Sequence, residues 1–184
     1  MSLHRRVLPP ILAFLLLVAL AVTVSACGWS NDSKEAVEGE SLQLGELKYI
    51  VTFSRYLNPN DTEDAAYLEG VPPPANKGES YFGIFFEIQN ESDEPQKLPS
   101  TLTIEDADGN EYGRIANESI FGLPASGEVE PEEQIPVLDS PAQQGPIEGA
   151  VAVFLLPEEA SENRPLTLLI ATPEGERGEV TLDL

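Results

Sequence analysis

The chain is poor in the side chains that most enzyme and metal sites require. It has one Cys, one Met, one His and one Trp among 184 residues, and 10 Lys+Arg against 32 Asp+Glu. Residues 1–26 hold Met1, His4, Arg5 and Arg6 and no acid, so the remaining 158 residues carry 8 basic and 32 acidic side chains, a formal net charge of −24. A domain without His or a second Cys cannot build a Ser-His-Asp or Cys-His nucleophile, a zinc site of the usual Cys/His kind, or a thioether copper site. No cofactor is expected. The scarcity of Lys and Arg argues against nucleic acid as a partner, because affinity for phosphates comes from clustered cations. A single Cys permits no intramolecular disulfide. The chain is nonetheless long enough to bury a core without such staples.

What is present begins with an export pattern. His4, Arg5 and Arg6 form a charged start, and Ile11 to Val24 form an apolar stretch. That stretch is shorter than the roughly 20 residues of a permanent membrane-spanning helix. Small residues follow it, and Val24-Ser25-Ala26-Cys27 resembles the lipobox read by the bacterial lipoprotein signal peptidase. The resemblance implies a diacylglyceryl group on the Cys27 thiol and cleavage before Cys27, with Val24, Ser25 and Ala26 as the recognition residues. An ordinary secretory signal cleaved after Ala26 fits the same small residues. The expected organisation is a signal peptide over 1–26, a flexible acidic tether over 27–46, and one folded domain over 47–184.

From Leu47 onward the pattern is that of strands. Leu47 to Phe53 is rich in β-branched and aromatic residues, and Tyr81 to Ile88 alternates. Alternation puts Phe82, Ile84, Phe86 and Ile88 on one face and Tyr81, Gly83 and Phe85 on the other. Asp108-Gly109 between Thr101–Ile104 and Glu111–Ile115 is a strong hairpin signal and requires φ > 0 at Gly109. Glu130 to Leu138 reads as an edge strand, since Pro131 and Pro136 cannot donate to a central ladder. Ala150 to Leu156, apolar on both faces, reads as a central strand. Leu166–Ala171 and Val180–Leu184 pair across the turn Pro173-Glu174-Gly175. Asp61 is placed to cap one short helix over Asp61 to Leu68. These signals predict an all-β, immunoglobulin-like β-sandwich of about seven or eight strands, with one short helix in a long loop.

The Asn-Glu-Ser-Asp-Glu-Pro turn, the Asp-Ala-Asp-Gly-Asn-Glu hairpin, the late apolar strand and the Pro-Leu-Thr-Leu strand resemble a broad group of secreted bacterial immunoglobulin-like lipoprotein domains of unknown function, akin to the mycobacterial immunoprotective extracellular antigen. The resemblance covers about Leu47 to Leu184. Leu57-Asn58-Pro59-Asn60-Asp61 through Tyr67 also looks like exported proteins of actinobacterial type. The family supplies a fold and no catalytic residues.

Two segments invite a functional reading. Asp106 to Glu111 suggests a calcium loop, but its Gly sits at the fourth position where an EF-hand needs it at the sixth, so a hairpin turn explains it. The connection from Asn58 to Gly78 is longer than a hairpin needs and ends in the rigid Pro72-Pro73-Pro74. It is the candidate recognition loop, with Tyr67 and Leu68 for apolar contact and Asp61, Glu63 and Asp64 to steer basic groups. The competing role is a cover over Tyr81 and Phe85. The resulting expectation is a non-enzymatic domain outside the cytoplasm, anchored to the cell membrane through the lipid on Cys27, that binds or scaffolds an unknown envelope protein or polymer. Its acidity keeps it off anionic lipid. The rivals are a cell-wall glycan hydrolase using surface carboxylates, and an extracellular calcium-binding module. The first needs paired carboxylates in a concave site, one with a raised pKa; the second needs calcium-dependent stability.

Overall fold

The computed structural model describes residues 33–183; Val24, Ser25, Ala26 and Cys27 lie outside them. The strands are β1 (Ser33–Val37), β2 (Ser41–Leu44), β3 (Leu47–Leu57), β4 (Glu79–Asn90), β5 (Gln96–Lys97) and β6 (Thr101–Glu105). They continue with β7 (Glu111–Ile115), β8 (Glu128–Val129), β9 (Gln134–Ile135), β10 (Ala150–Pro157), β11 (Thr167–Ala171) and β12 (Arg177–Thr181). Helix α1 (Thr62–Tyr67) lies between β3 and β4, α2 (Pro141–Gln144) between β9 and β10, and a 3₁₀ turn (Glu158–Ser161) follows β10. The protein is a β-sandwich. One sheet runs β1-β12-β11-β6-β7, and the other runs β10-β4-β3-β2. Strand β7 pairs both β6 and β10, so it links the sheets into a near-barrel. The described strands number twelve, more than the sequence suggests, because several pair over only two residues.

The two most apolar segments become the two most buried strands. Strands β4 and β10 pair antiparallel, with Phe82 opposite Phe154 and Phe86 opposite Ala150. Phe82, Ile84, Phe86 and Ile88 join Phe154 and Leu156 in the core between the sheets, against Ile104, Leu168, Ile170 and Val180. Full burial of each such side chain contributes on the order of 1.5–3 kcal/mol. The opposite faces are buried as well. Tyr81, Phe85, Val151 and Val153 form a second cluster with Leu57, Tyr67 and Leu68. Gly83 lies between Tyr81 and Phe85, and Leu57 Cδ1 would stand 3.0 Å from a Cβ placed there. The missing side chain is what admits Leu57.

Residues 33–46 are not a tether, which corrects the expected boundary. Strand β1 pairs parallel with β12 and β2 pairs antiparallel with β3, so these residues occupy the outer strand of each sheet. An outer strand can be held with few apolar residues, and Ala36, Leu42 and Leu44 are the ones buried. The corner between them is fixed by Glu38. Its carboxylate accepts from Ser54 N (3.0 Å), Ser54 Oγ (2.6 Å) and Asp183 N (3.1 Å), which binds the corner to β3 and to the C-terminal segment. The expected edge strand over Glu130–Leu138 shrinks to β9. Glu133 N donates to Glu130 O in a turn, and Pro136 ends the pairing because it has no N–H. The last strand ends at Thr181, with Leu182 N donating to Leu166 O.

The β6–β7 hairpin forms as expected, with Gly109 at φ +82°. Asp106 organises it. Its carboxylate accepts from Asp108 N, Asn110 N, Asn110 Nδ2 and Tyr112 Oη, the last at 2.9 Å. These donors, Asn110 foremost, hold the Asp106 pKa down at about 2, while burial and then Asp106 itself push the Tyr112 hydroxyl up to about 12. A depressed carboxyl stabilises the fold above its unfolded pKa, near 4, and loses that contribution as pH falls through about 2. The stability gap between the native chain and Asp106→Asn should therefore narrow steadily from pH 5 to pH 2 in chemical denaturation. A gap that is constant over that range would show that the carboxylate charge does not hold the turn.

Candidate functional site

The long connection between β3 and β4 brings its candidate residues together, but around a structural centre. Asp61 is the N-cap of α1, accepting from Glu63 N and Asp64 N. The acidic first turn suits the helix dipole. Asp64 points inward. Its carboxylate takes both guanidinium nitrogens of Arg55, at 3.0 and 2.5 Å, and accepts from Asn58 N at 2.7 Å. That bond to Asp64 holds the Arg55 pKa above its ordinary value. Glu63 approaches the same guanidinium at 3.4 Å and accepts from Tyr67 Oη. Burial, then the nearby Glu63 charge, push the Tyr67 hydroxyl up to about 12.

Tyr67 and Leu68 were expected to offer apolar contact to a partner, and here the structure corrects the sequence. Tyr67 is 1% exposed and Leu68 9%. The Tyr67 ring meets Phe85 edge-on at 5.1 Å and Phe121 at 5.3 Å. The loop covers the outer face of β4 and β10, which is the competing role stated for it. Tyr81 Oη donates to Pro72 O at 2.9 Å, tying the proline run to the same cluster. Residues 117–119 fasten the helix from outside: Asn117 Nδ2 donates to Tyr67 O, Glu118 N to Glu69 O, and Ser119 Oγ to Ala66 O. Asp61 and Glu63 alone of the five keep solvent-facing carboxylates. A cation at this loop would have to displace the amide donors on Asp61 and the guanidinium on Asp64. Among the described residues no group of three or more His, Cys, Asp or Glu is arranged to hold a metal ion.

A different surface carries the features of a binding site. Among the described residues, Ile120, Val137 and Leu138 are the most exposed large apolar side chains, at 67, 59 and 64%. Ile120 and Val137 line one groove of about 330 Å³, and Leu138 adjoins Val137. Buried Val129, Ala142 and Ala150 lie at its floor, and Glu128, Glu130 and Glu133 line it with no Lys or Arg. The groove sits where β9 gives way to β10 along β4, between the pairs Ile88–Ile135 and Phe86–Ala150.

Its apolar side chains are held out by a fixed turn. Ser140 N donates to Val137 O, Asp139 N to Gln143 Oε1, and Gln144 Nε2 to Asp139 Oδ1. Asp139 has φ +64°, a conformation that costs of order 1–3 kcal/mol in a residue with a side chain. Across the groove, the lining residue Pro124 is held from behind by Arg114, which is not itself part of the lining: it donates to the carbonyl oxygens of Leu123 and Pro124, and burial lowers its pKa. The sequence signal for this site is faint. Val137-Leu138 follows Pro136 in a segment that reads as a strand, so its exposure is visible only once the strand is seen to stop at Ile135.

Removing the partner of Asp64 should leave a buried carboxylate bound only by an amide. Arg55→Gln should lower stability by about 2–3 kcal/mol, less than for a fully buried pair because Arg55 is partly exposed. Urea denaturation checks this. A loss below about 0.5 kcal/mol, the range of an ordinary surface change, would mean that the pair does not hold the loop.

No protein-family model matches the chain, and no curated protein does. Solved structures do. The yjhA protein of Bacillus subtilis is 12% identical with a TM-score of 0.54, over 80% of this chain and 99% of that one. A protein of Bacillus subtilis with a provisional lipoprotein designation, ycdA, is 8% identical with a TM-score of 0.51; the match covers 79% of this chain and 38% of that one. An uncharacterised β-sandwich protein of Clostridium difficile is 17% identical with a TM-score of 0.47, over 82% of this chain and 95% of that one. At these identities the likeness is one of fold: the chain shares its fold with bacterial proteins, one of them designated a lipoprotein.

Proposed function

We propose that the chain is a non-enzymatic binding or scaffolding domain of the bacterial cell envelope, held outside the cytoplasm by a lipid on Cys27. The observation that carries the binding half is the groove at Ile120 and Val137, where large apolar side chains stay exposed on a hydrogen-bonded turn. Exposed apolar surface rimmed by polar residues marks interaction sites. The lipobox residues Val24, Ser25, Ala26 and Cys27 support the anchor, and a lipoprotein designation on one structural neighbour is compatible with it. The narrower kinship, with actinobacterial exported proteins and the mycobacterial antigen, rests on the turn and strand patterns alone.

The carboxylate chemistry favours binding over hydrolysis. A general acid at neutral pH needs a raised pKa. Donated hydrogen bonds hold the carboxyl groups of Glu79, Asp106 and Glu176 below their ordinary pKa, from Asn76, Asn110 and the Gly45 amide respectively, the opposite of what a general acid needs. Of the two buried carboxylates among the described residues, Asp64 is taken up by Arg55 and Asp106 by the donors of its own hairpin.

Strand β1 starting at Ser33 shortens the link to the membrane. Only residues 28–32 separate Cys27 from it, so an extended chain reaches at most about 20 Å. The acidic domain would then be held close to the bilayer against its own repulsion from anionic lipid. Wild-type protein should partition into detergent, and Cys27→Ala should block lipidation and processing. Wild-type protein recovered in the aqueous phase with a free Cys27 thiol would overturn the anchor.

A further inference from the structure

We infer that the groove at Ile120, Val137 and Leu138 receives a basic segment of another polypeptide, one that presents an apolar side chain flanked by Lys or Arg. The inference rests on the binding reading and specifies its partner. Charge selects the occupant. Glu128, Glu130 and Glu133 line the groove without a cation in the lining; Lys97, opposite Glu128 in the β5–β8 ladder, and Arg114, whose guanidinium is taken up by the Leu123 and Pro124 carbonyls, both lie outside it. Apolar surface at Ile120 and Val137 supplies a seat for a side chain, and the three carboxylates select cations on either side of it. The turn at 137–144 is already fixed by its own hydrogen bonds, so docking orders little of this protein.

A second copy of the chain fits the groove poorly. An isologous contact sets a patch against itself, which would bring Glu130 and Glu133 up to their counterparts on a chain with net charge −22. Two other hollows among the described residues are built differently. The one lined by Glu35, Glu40 and Glu179 is acidic around small and β-branched side chains, and the one at Gln89 and Glu132 is polar. The hollow at Glu35 holds one exposed large apolar side chain, Val37, whereas the groove sets two, Ile120 and Val137, beside its carboxylates.

The test uses the full chain in nanodiscs of zwitterionic lipid, with empty discs as background. Three labelled ten-residue peptides serve as probes: alternating Lys and Leu, alternating Glu and Leu, and alternating Lys and Ser. Saturable binding is expected for the Lys–Leu peptide alone. Val137→Asp should weaken it by about tenfold or more, as loss of a central apolar anchor does. Glu130→Gln with Glu133→Gln should weaken it and flatten its salt dependence, whereas Glu35→Gln with Glu179→Gln, which removes equal charge from another face, should not. Val137 and Glu130 are exposed, so the variants should keep the native melting temperature. Equal weakening by the two double variants would reduce the effect to net charge and overturn the proposal. So would binding of the Glu–Leu peptide, or a concentration-dependent dimer abolished by Val137→Asp. A photocrosslinker at Ile120 in intact cells separates this from the broader reading. Adducts that persist in Val137→Asp overturn the groove and leave the binding function standing, while a wild-type chain without adducts from any surface position overturns both.

Discussion

The structure depends on one constraint: strand β4 is apolar on both faces and must be covered twice. Phe82, Ile84, Phe86 and Ile88 look toward the second sheet, and Tyr81 and Phe85 look away from it. Leaving the outer pair in water would forfeit on the order of 3–6 kcal/mol, comparable to the whole stability of a small domain. Strand β10 has the same need through Val151 and Val153. The inner faces are met by β6, β11 and β12. The outer faces are met by the long connection between β3 and β4, which brings Tyr67 and Leu68 over them, and by residues 117–121 laid across its outside. The ion pair of Arg55 with Asp64 ties the helix of the connection back to β3.

That requirement decides which surface is free for recognition. The connection spends its largest apolar residues, Tyr67 and Leu68, on covering Phe85 and does not offer them to a partner. The segment after β9 is under no such demand, because β9 takes the place beside β4 that β10 occupies further along. Pro136 ends the strand, the turn at 137–144 bonds to itself, and Val137 and Leu138 are left outside. The groove is thus a by-product of the handover from β9 to β10, with carboxylates from the acidic chain around it.

Much of the fold was legible because it rests on periods and turn chemistry. The alternation over Tyr81–Ile88, the two-faced Ala150–Leu156, the Asp108-Gly109 turn and the Asp61 cap each predict what the structure contains. Strands β1 and β2 were hidden by composition: an outer strand needs few buried residues, and Ala36, Leu42 and Leu44 are scattered through a run rich in Glu and Ser. The role of Tyr67 and Leu68 was inverted for a related reason. An apolar pair in a polar loop reads as a contact for a partner until its packing mate is known, and that mate, Phe85, is assigned by tertiary structure. The groove was the least legible feature, since it exists through where a strand stops.

The claim that the Asn58–Gly78 connection is part of the core, and not a recognition loop, is tested most directly by native-state hydrogen exchange. The amides of Ala65, Leu68 and Val71 donate to Asp61, Asp64 and Leu68 carbonyls within the connection. If the connection is half of the outer core, these amides should exchange through the same global opening that releases the β4 amides, with the same denaturant dependence. Exchange near the rate of a free peptide while β4 stays protected would contradict the account.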